Sequence, residues 1–110
     1  KLAKHADIEG ARAALELAER SEESGDEAEL RARLAANEND HQARYDLATA
    51  HYAAQRNEEA IDELLEIVRR ERTWNEEAAR QMLLQVFQAL GPTHELSASG
   101  RRKLSAILFA

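Results

Sequence analysis

The side chains able to do chemistry are few, and their spacing does not combine them. Four histidines, His5, His41, His51 and His94, form no close pair with metal-ligand spacing, and none joins the carboxylate of a zinc-protease motif. Glu22-Glu23 and Glu58-Glu59 are adjacent acids. Neighbours on a helix point in different directions, so such pairs suit general acid–base work poorly. The serines Ser21, Ser24, Ser97, Ser99 and Ser105 have no histidine with a triad signature, and no glycine-rich phosphate loop exists. Cysteine is absent, which removes disulfides, thiol nucleophiles, redox pairs and thiolate zinc sites. No catalytic residue, metal or cofactor is therefore expected; His51 belongs to a packing stripe and the other histidines mainly to solvent.

What remains is recognition. Leu104, Ile107, Leu108 and Phe109 give the end of the chain a dense apolar surface, with Arg101, Arg102 and Lys103 just before it. A helix entering a partner's groove uses anchors at such i, i+3, i+4 spacing, and the cations add attraction to an acidic surface. The alternative for the same face is docking on the preceding hairpin, because a helical stack needs its last helix to cover the core. Tyr45 and Tyr52 are candidates for an aromatic contact with extended protein segments or for packing, and Trp74 for a staple between a hairpin and the next helix. A net charge of −6 and a pI near 5.2 leave no clustered positive field for nucleic acid or an anionic membrane. No run approaches the roughly 18 apolar residues of a membrane helix, and no signal peptide opens the chain, so a cytoplasmic protein is expected. The first residue is Lys1 rather than methionine, from which a longer parent is expected.

The elements that must carry these residues are helices. Apolar residues make up 44% of the 110, but nearly half of them are alanine and few are valine or isoleucine, leaving little material for strands. The length suits one domain over residues 1–110. Ile8, Ala11, Ala14, Leu15 and Ala18 predict a first helix from Leu2 to about Glu23, stopped at Gly25. A second runs from Asp26 to Ala36 with Leu30 and Leu34 inward, and a third, after the turn Asn37 to Asp40, sets Tyr45, Ala48 and Tyr52 beside Leu47 and His51. Asn57 is read as the cap of a fourth helix that turns Ala60, Ile61, Leu64, Leu65 and Val68 inward and spaces Glu66 and Arg70 as a favourable ion pair. Thr73 and Glu76 have capping-box spacing before a fifth helix bearing Ala79, Leu83, Val86, Phe87 and Leu90. Gly91-Pro92 ends it, and a loop to Ser99 precedes a last helix to Phe109. The reading is an all-α array of about six helices in three antiparallel hairpins.

Two resemblances sharpen this. The segment from Ala43 to Arg72 resembles a tetratricopeptide repeat: Leu47-Ala48 matches the large–small pair of its first helix and Ala60 the small residue where the second helix crosses. Arg44, His51, Gln55, Asn57 and Arg72 depart from the aromatic, glycine and proline positions of that pattern. Tyr45 and Thr49 stand where such repeats carry the lysine and asparagine of a carboxylate clamp, and neither brings a positive charge, so a grip on acidic tails is not implied. The ordered runs ELRARLAAN at 29–37, ARYDLA at 43–48, NEEAIDELLEIVRR at 57–70, WNEEAAR at 74–80 and RRKLSAILF at 101–109 resemble the C-terminal repeats of bacterial thioredoxin-fused co-chaperones, the chaperedoxins. That resemblance implies a non-catalytic protein-binding module, preceded in the parent by a thioredoxin-like domain. Its expected partners are unfolded clients, general chaperones or a chaperonin. A module that dimerises or positions its fused neighbour is the alternative.

Overall fold

The structure, a computed structural model, describes residues 26–110. These carry five helices: α1 (Glu27–Ala36), α2 (His41–Ala53), α3 (Asn57–Arg70), α4 (Ala78–Leu90) and α5 (Glu95–Leu108). There is no strand among the described residues, as the alanine-rich composition requires. The first predicted helix, from Leu2 to Glu23, lies outside them. Helices α2 and α3 form one hairpin and α4 and α5 the next, while α1 packs on α2, and α3 contacts both helices of the last hairpin.

Local chemistry explains most of the boundaries. Asp26 accepts from the Glu29 amide at the start of α1, and Asp40 accepts from the Ala43 amide at 3.0 Å at the start of α2. Helix α3 buries Ala60, Ile61, Leu64, Leu65, Ile67 and Val68 on one face, with Glu58 and Glu59 in its first turn and Arg69 and Arg70 in its last. Both charge placements favour the helix dipole. Helix α4 ends at Gly91, whose φ of 101° suits a residue without a side chain and lets the chain reverse before Pro92.

Three boundaries differ from expectation. Asn57 lies inside the first turn of α3 and does not cap it; Arg56 holds the cap position without a side-chain cap bond. The reason is the left-handed Gln55, φ 66°, which turns the chain one residue earlier than a capping asparagine would need. No Thr73–Glu76 capping box forms either, because Asn75, Glu76 and Glu77 all have positive φ and α4 starts only at Ala78. Turn bonds replace the box: Trp74 N–H donates to the Glu71 carbonyl, Glu77 N–H to the Trp74 carbonyl, and the Gln81 side chain to the Glu76 carbonyl at 3.0 Å. Helix α5 begins at Glu95 rather than Ser99, since His94 Nδ1 accepts from the Leu96 amide at 3.0 Å and supplies the missing cap.

One main core runs through α2 to α5, from Ala48 through Leu64, Met82, Leu83 and Phe87 to Leu104. A second, smaller cluster of Leu30, Ala43 and Leu47, with Leu34 beside it, joins α1 to α2. The closest approach of α5 to its neighbours is at Gly100. A Cβ there would lie 2.5 Å from the Phe87 ring and 3.5 Å from Ile61, so glycine is what allows three helices to meet.

Candidate protein-interaction surfaces

The C-terminal candidates divide between core and solvent. Leu104 is buried, Ile107 and Leu108 are half-buried against the main core, and Phe109 is 81% exposed. The helical period produces this split: residues 104, 107 and 108 share the face that α5 lays on α3 and α4, whereas 102, 106 and 109 point away. Arg101, Arg102 and Lys103 are exposed, and the Arg101 guanidinium sits 5.6 Å from the centre of the Phe87 ring, over its face. Thus α5 docks while its last aromatic residue and a basic edge stay in water.

On α2, Tyr45 and Tyr52 are half-buried against the main core. Tyr45 packs on Trp74 at a ring separation of 5.5 Å, and burial pushes the Tyr52 hydroxyl above its usual pKa. Thr49 is buried, donates to the Tyr45 carbonyl at 3.0 Å and lies 3.8 Å from Met82 Sδ, so neither clamp position offers a cation. Trp74 closes this cluster from the α3–α4 connection, in line with a packing role.

The histidines need one correction. His41 is buried, not solvated: its ring meets Trp74 edge-on at 6.1 Å and its Nε2 lies 3.6 Å from a Glu71 carboxylate oxygen. Its place on the stripe His41, Tyr45, Ala48, Tyr52 was the available signal. His51 is buried as expected, and its Nδ1 accepts from Arg56 Nε at 3.0 Å. Burial first, and the Arg56 cation second, hold its pKa below the ordinary value. His94 is exposed and serves α5 as its cap.

A surface that sequence reasoning missed is the outer side of α4, where Leu84 is 41% exposed between Gln81 and Gln88. Only Arg80 is charged in that helix, although 33% of the chain is charged. Depletion of charge is a mark of interface cores. No cluster of metal-binding side chains occurs among the described residues. A cleft of about 20 Å³ between α3 and α5, lined by Glu58, Asp62, Ser99 and Lys103 among others, holds no more than a water. No helix among the described residues is long and apolar enough to cross a membrane.

No curated protein and no solved structure matches the chain. A family model described as Tetratricopeptide repeat does, over residues 20–109. The packing positions agree with that match: Leu47, Ala48 and Ala60, the interlocking residues of the repeat pattern, are all buried, Ala48 in the main core and Leu47 in the cluster that joins α1 to α2. Repeats of this kind generally mediate protein–protein interaction and are typically non-catalytic. With most of its length matched and its helices stacked as successive hairpins, the chain belongs to the tetratricopeptide repeat family.

Proposed function

We propose that this module is the protein-binding part of a thioredoxin-fused co-chaperone, making reversible contact with unfolded clients, general chaperones or a chaperonin in the bacterial cytoplasm. The observation that carries the reading is Phe109, fully formed helix behind it and 81% of its surface in water, about two turns along α5 from the exposed cations Arg101, Arg102 and Lys103. A large aromatic side chain left exposed at the end of a helix that carries positive charge two turns earlier is a suitable anchor for a partner with an acidic-rimmed apolar groove. The ordered sequence runs that resemble the chaperedoxins support the choice of partner class.

The test compares Phe109→Ala with the parent protein in a pull-down of chaperones. Removing a residue that the core does not need leaves the urea unfolding midpoint unchanged, and capture falls at least tenfold. Unchanged capture would remove Phe109 from the interface. A second reading, an architectural or dimerising domain, is favoured by Leu84 on its charge-poor helix. Light scattering separates the two: a stable dimer that loses its partner copy on Leu84→Lys, without any client affinity, supports architecture.

A further inference from the structure

Helix α1 is attached differently from the rest of the molecule. It contributes a single fully buried side chain, Leu30, to the small cluster with Ala43 and Leu47, and takes no part in the main core. Leu34 packs half-buried beside that cluster, and the other ties described are polar. Arg33 pairs with Asp40 at 3.2 Å, and Glu27 accepts from Arg56 at 2.7 Å across 29 residues. Arg56 in turn donates through Nε to Nδ1 of His51, which is only 3% exposed. Glu27, Arg56 and His51 therefore form a clasp joining α1, the α2–α3 turn and the last turn of α2.

We propose that this clasp is an acid-released latch, in which protonation of His51 frees α1 from the α2–α3 hairpin and uncovers the apolar strip formed by Ala43 and Leu47. The chemistry is direct. Neutral His51 offers Nδ1 as an acceptor; a proton taken up from solvent at that nitrogen removes the acceptor and points a hydrogen at a guanidinium. The bond to Arg56 cannot survive, and a buried imidazolium then faces the half-exposed Arg56 cation. Arg56 loses the contact that aligns it with Glu27, and α1 keeps Leu30, the half-buried Leu34 and the surface pair of Arg33 with Asp40.

The charged groups around the imidazole set the sign. Glu27 from α1 and Glu63 from α3 favour its protonation, while Arg31 from α1 and Arg56 from the turn oppose it. Burial and Arg56 prevail, so the folded pKa lies below the 6.5 of a free histidine. The opened state consequently binds more protons than the closed one. The latch is at full strength above pH 6.5, weakens as pH falls below it, and stops weakening once the folded value is passed. The main core from α2 to α5 contains no member of the clasp and stays closed.

Amide hydrogen exchange of the full chain between pH 5 and pH 7.5, corrected for intrinsic rates, tests this. The opening equilibrium of residues 27–36 should rise by up to about tenfold per pH unit below 6.5, the limit for one proton, while α4 and α5 keep their protection. His51→Gln retains an acceptor that cannot titrate and should flatten the response. A pH-independent opening in the parent, or the same rise in the variant, overturns the latch. Should the variant fail to fold, the His51 imidazole is followed by NMR in the parent. A midpoint below 6.5, shared by α1 amide shifts, supports the proposal, and a midpoint at or above 6.5 overturns it.

Discussion

Gly100 and Gln55 are opposite cases of one physical constraint, the space and torsion that a Cβ demands. At Gly100 the helix is ordinary but the Phe87 ring stands 2.5 Å from where a methyl would go, and Phe87 is completely buried. Gly100→Ala should therefore destabilise the protein by about 1–3 kcal/mol, the usual cost of overpacking, despite alanine's higher helix propensity. Urea unfolding of the variant measures it. At Gln55 the side chain is free in solvent but the backbone is left-handed, φ 66°. That torsion costs a non-glycine residue roughly 1–2 kcal/mol, part of which glycine gives back in chain entropy. Gln55→Gly should raise stability by about 0.5–1 kcal/mol, and the same urea experiment would show a higher midpoint. The position is one where the repeat pattern carries glycine, so this departure in sequence is visible as strain in the fold.

Helix ends are where the elements depend on individual charges. The Asp40 carboxylate is held below its usual range first by the Ala43 amide and then by Arg33. Burial pushes Glu66 upward, but the hydrogen bonds from Arg69 and Arg70 outweigh it and leave its pKa lowered. A lowered carboxyl pKa contributes stability above the unfolded value that is lost as pH falls through the folded one. Stability should thus decline below about pH 4.5, with α2 losing its cap as Asp40 protonates. Asp40→Ala should cost about 0.5–2 kcal/mol at pH 7. Asp40→Asn keeps the accepting oxygen and should retain most of that stability while showing a weaker acid response. Unfolding curves at pH 7 and pH 3 distinguish the two variants.

Across the described residues, stability is concentrated in the main core that runs through α2 to α5 rather than in the small cluster beneath α1. Leu104 joins α5 to the main core, so Leu104→Ala should cost about 2–4 kcal/mol and unfold α4 and α5 together. Trp74 reports on this body because it is packed among His41, Tyr45 and the core. Its emission in the folded state should be blue of an exposed indole and move to the red in the same transition as helix loss. A probe on α1 should respond earlier, since the cluster beneath it is separate from the main one. A coincident transition for both probes would mean that the small cluster is coupled to the large one more tightly than their separation suggests.

Helicity and the inward faces of the helices were determined by the sequence, because 3.6-residue periodicity is a property of local backbone geometry and needs no partner to be read. The residues Leu47, Ala48, Ala60, Leu64 and Phe87 could be placed on core faces in this way, and Gly91-Pro92 marked a real end. The caps expected at Asn57 and Thr73 do not form because left-handed residues at Gln55 and at 75–77 redirect the chain before each helix begins, and side-chain identity does not signal those turns. Of the terminal apolar residues, period alone could not say which would face solvent; that required the position of α3 and α4 beneath α5. The corner of Glu27, Arg56 and His51 was also beyond reach, since its members are up to 29 residues apart and meet only when α1 closes on the next hairpin. Local pattern specifies which side of a rod is apolar, but the meeting of distant charges depends on how the rods stack, and only the tertiary structure decides that.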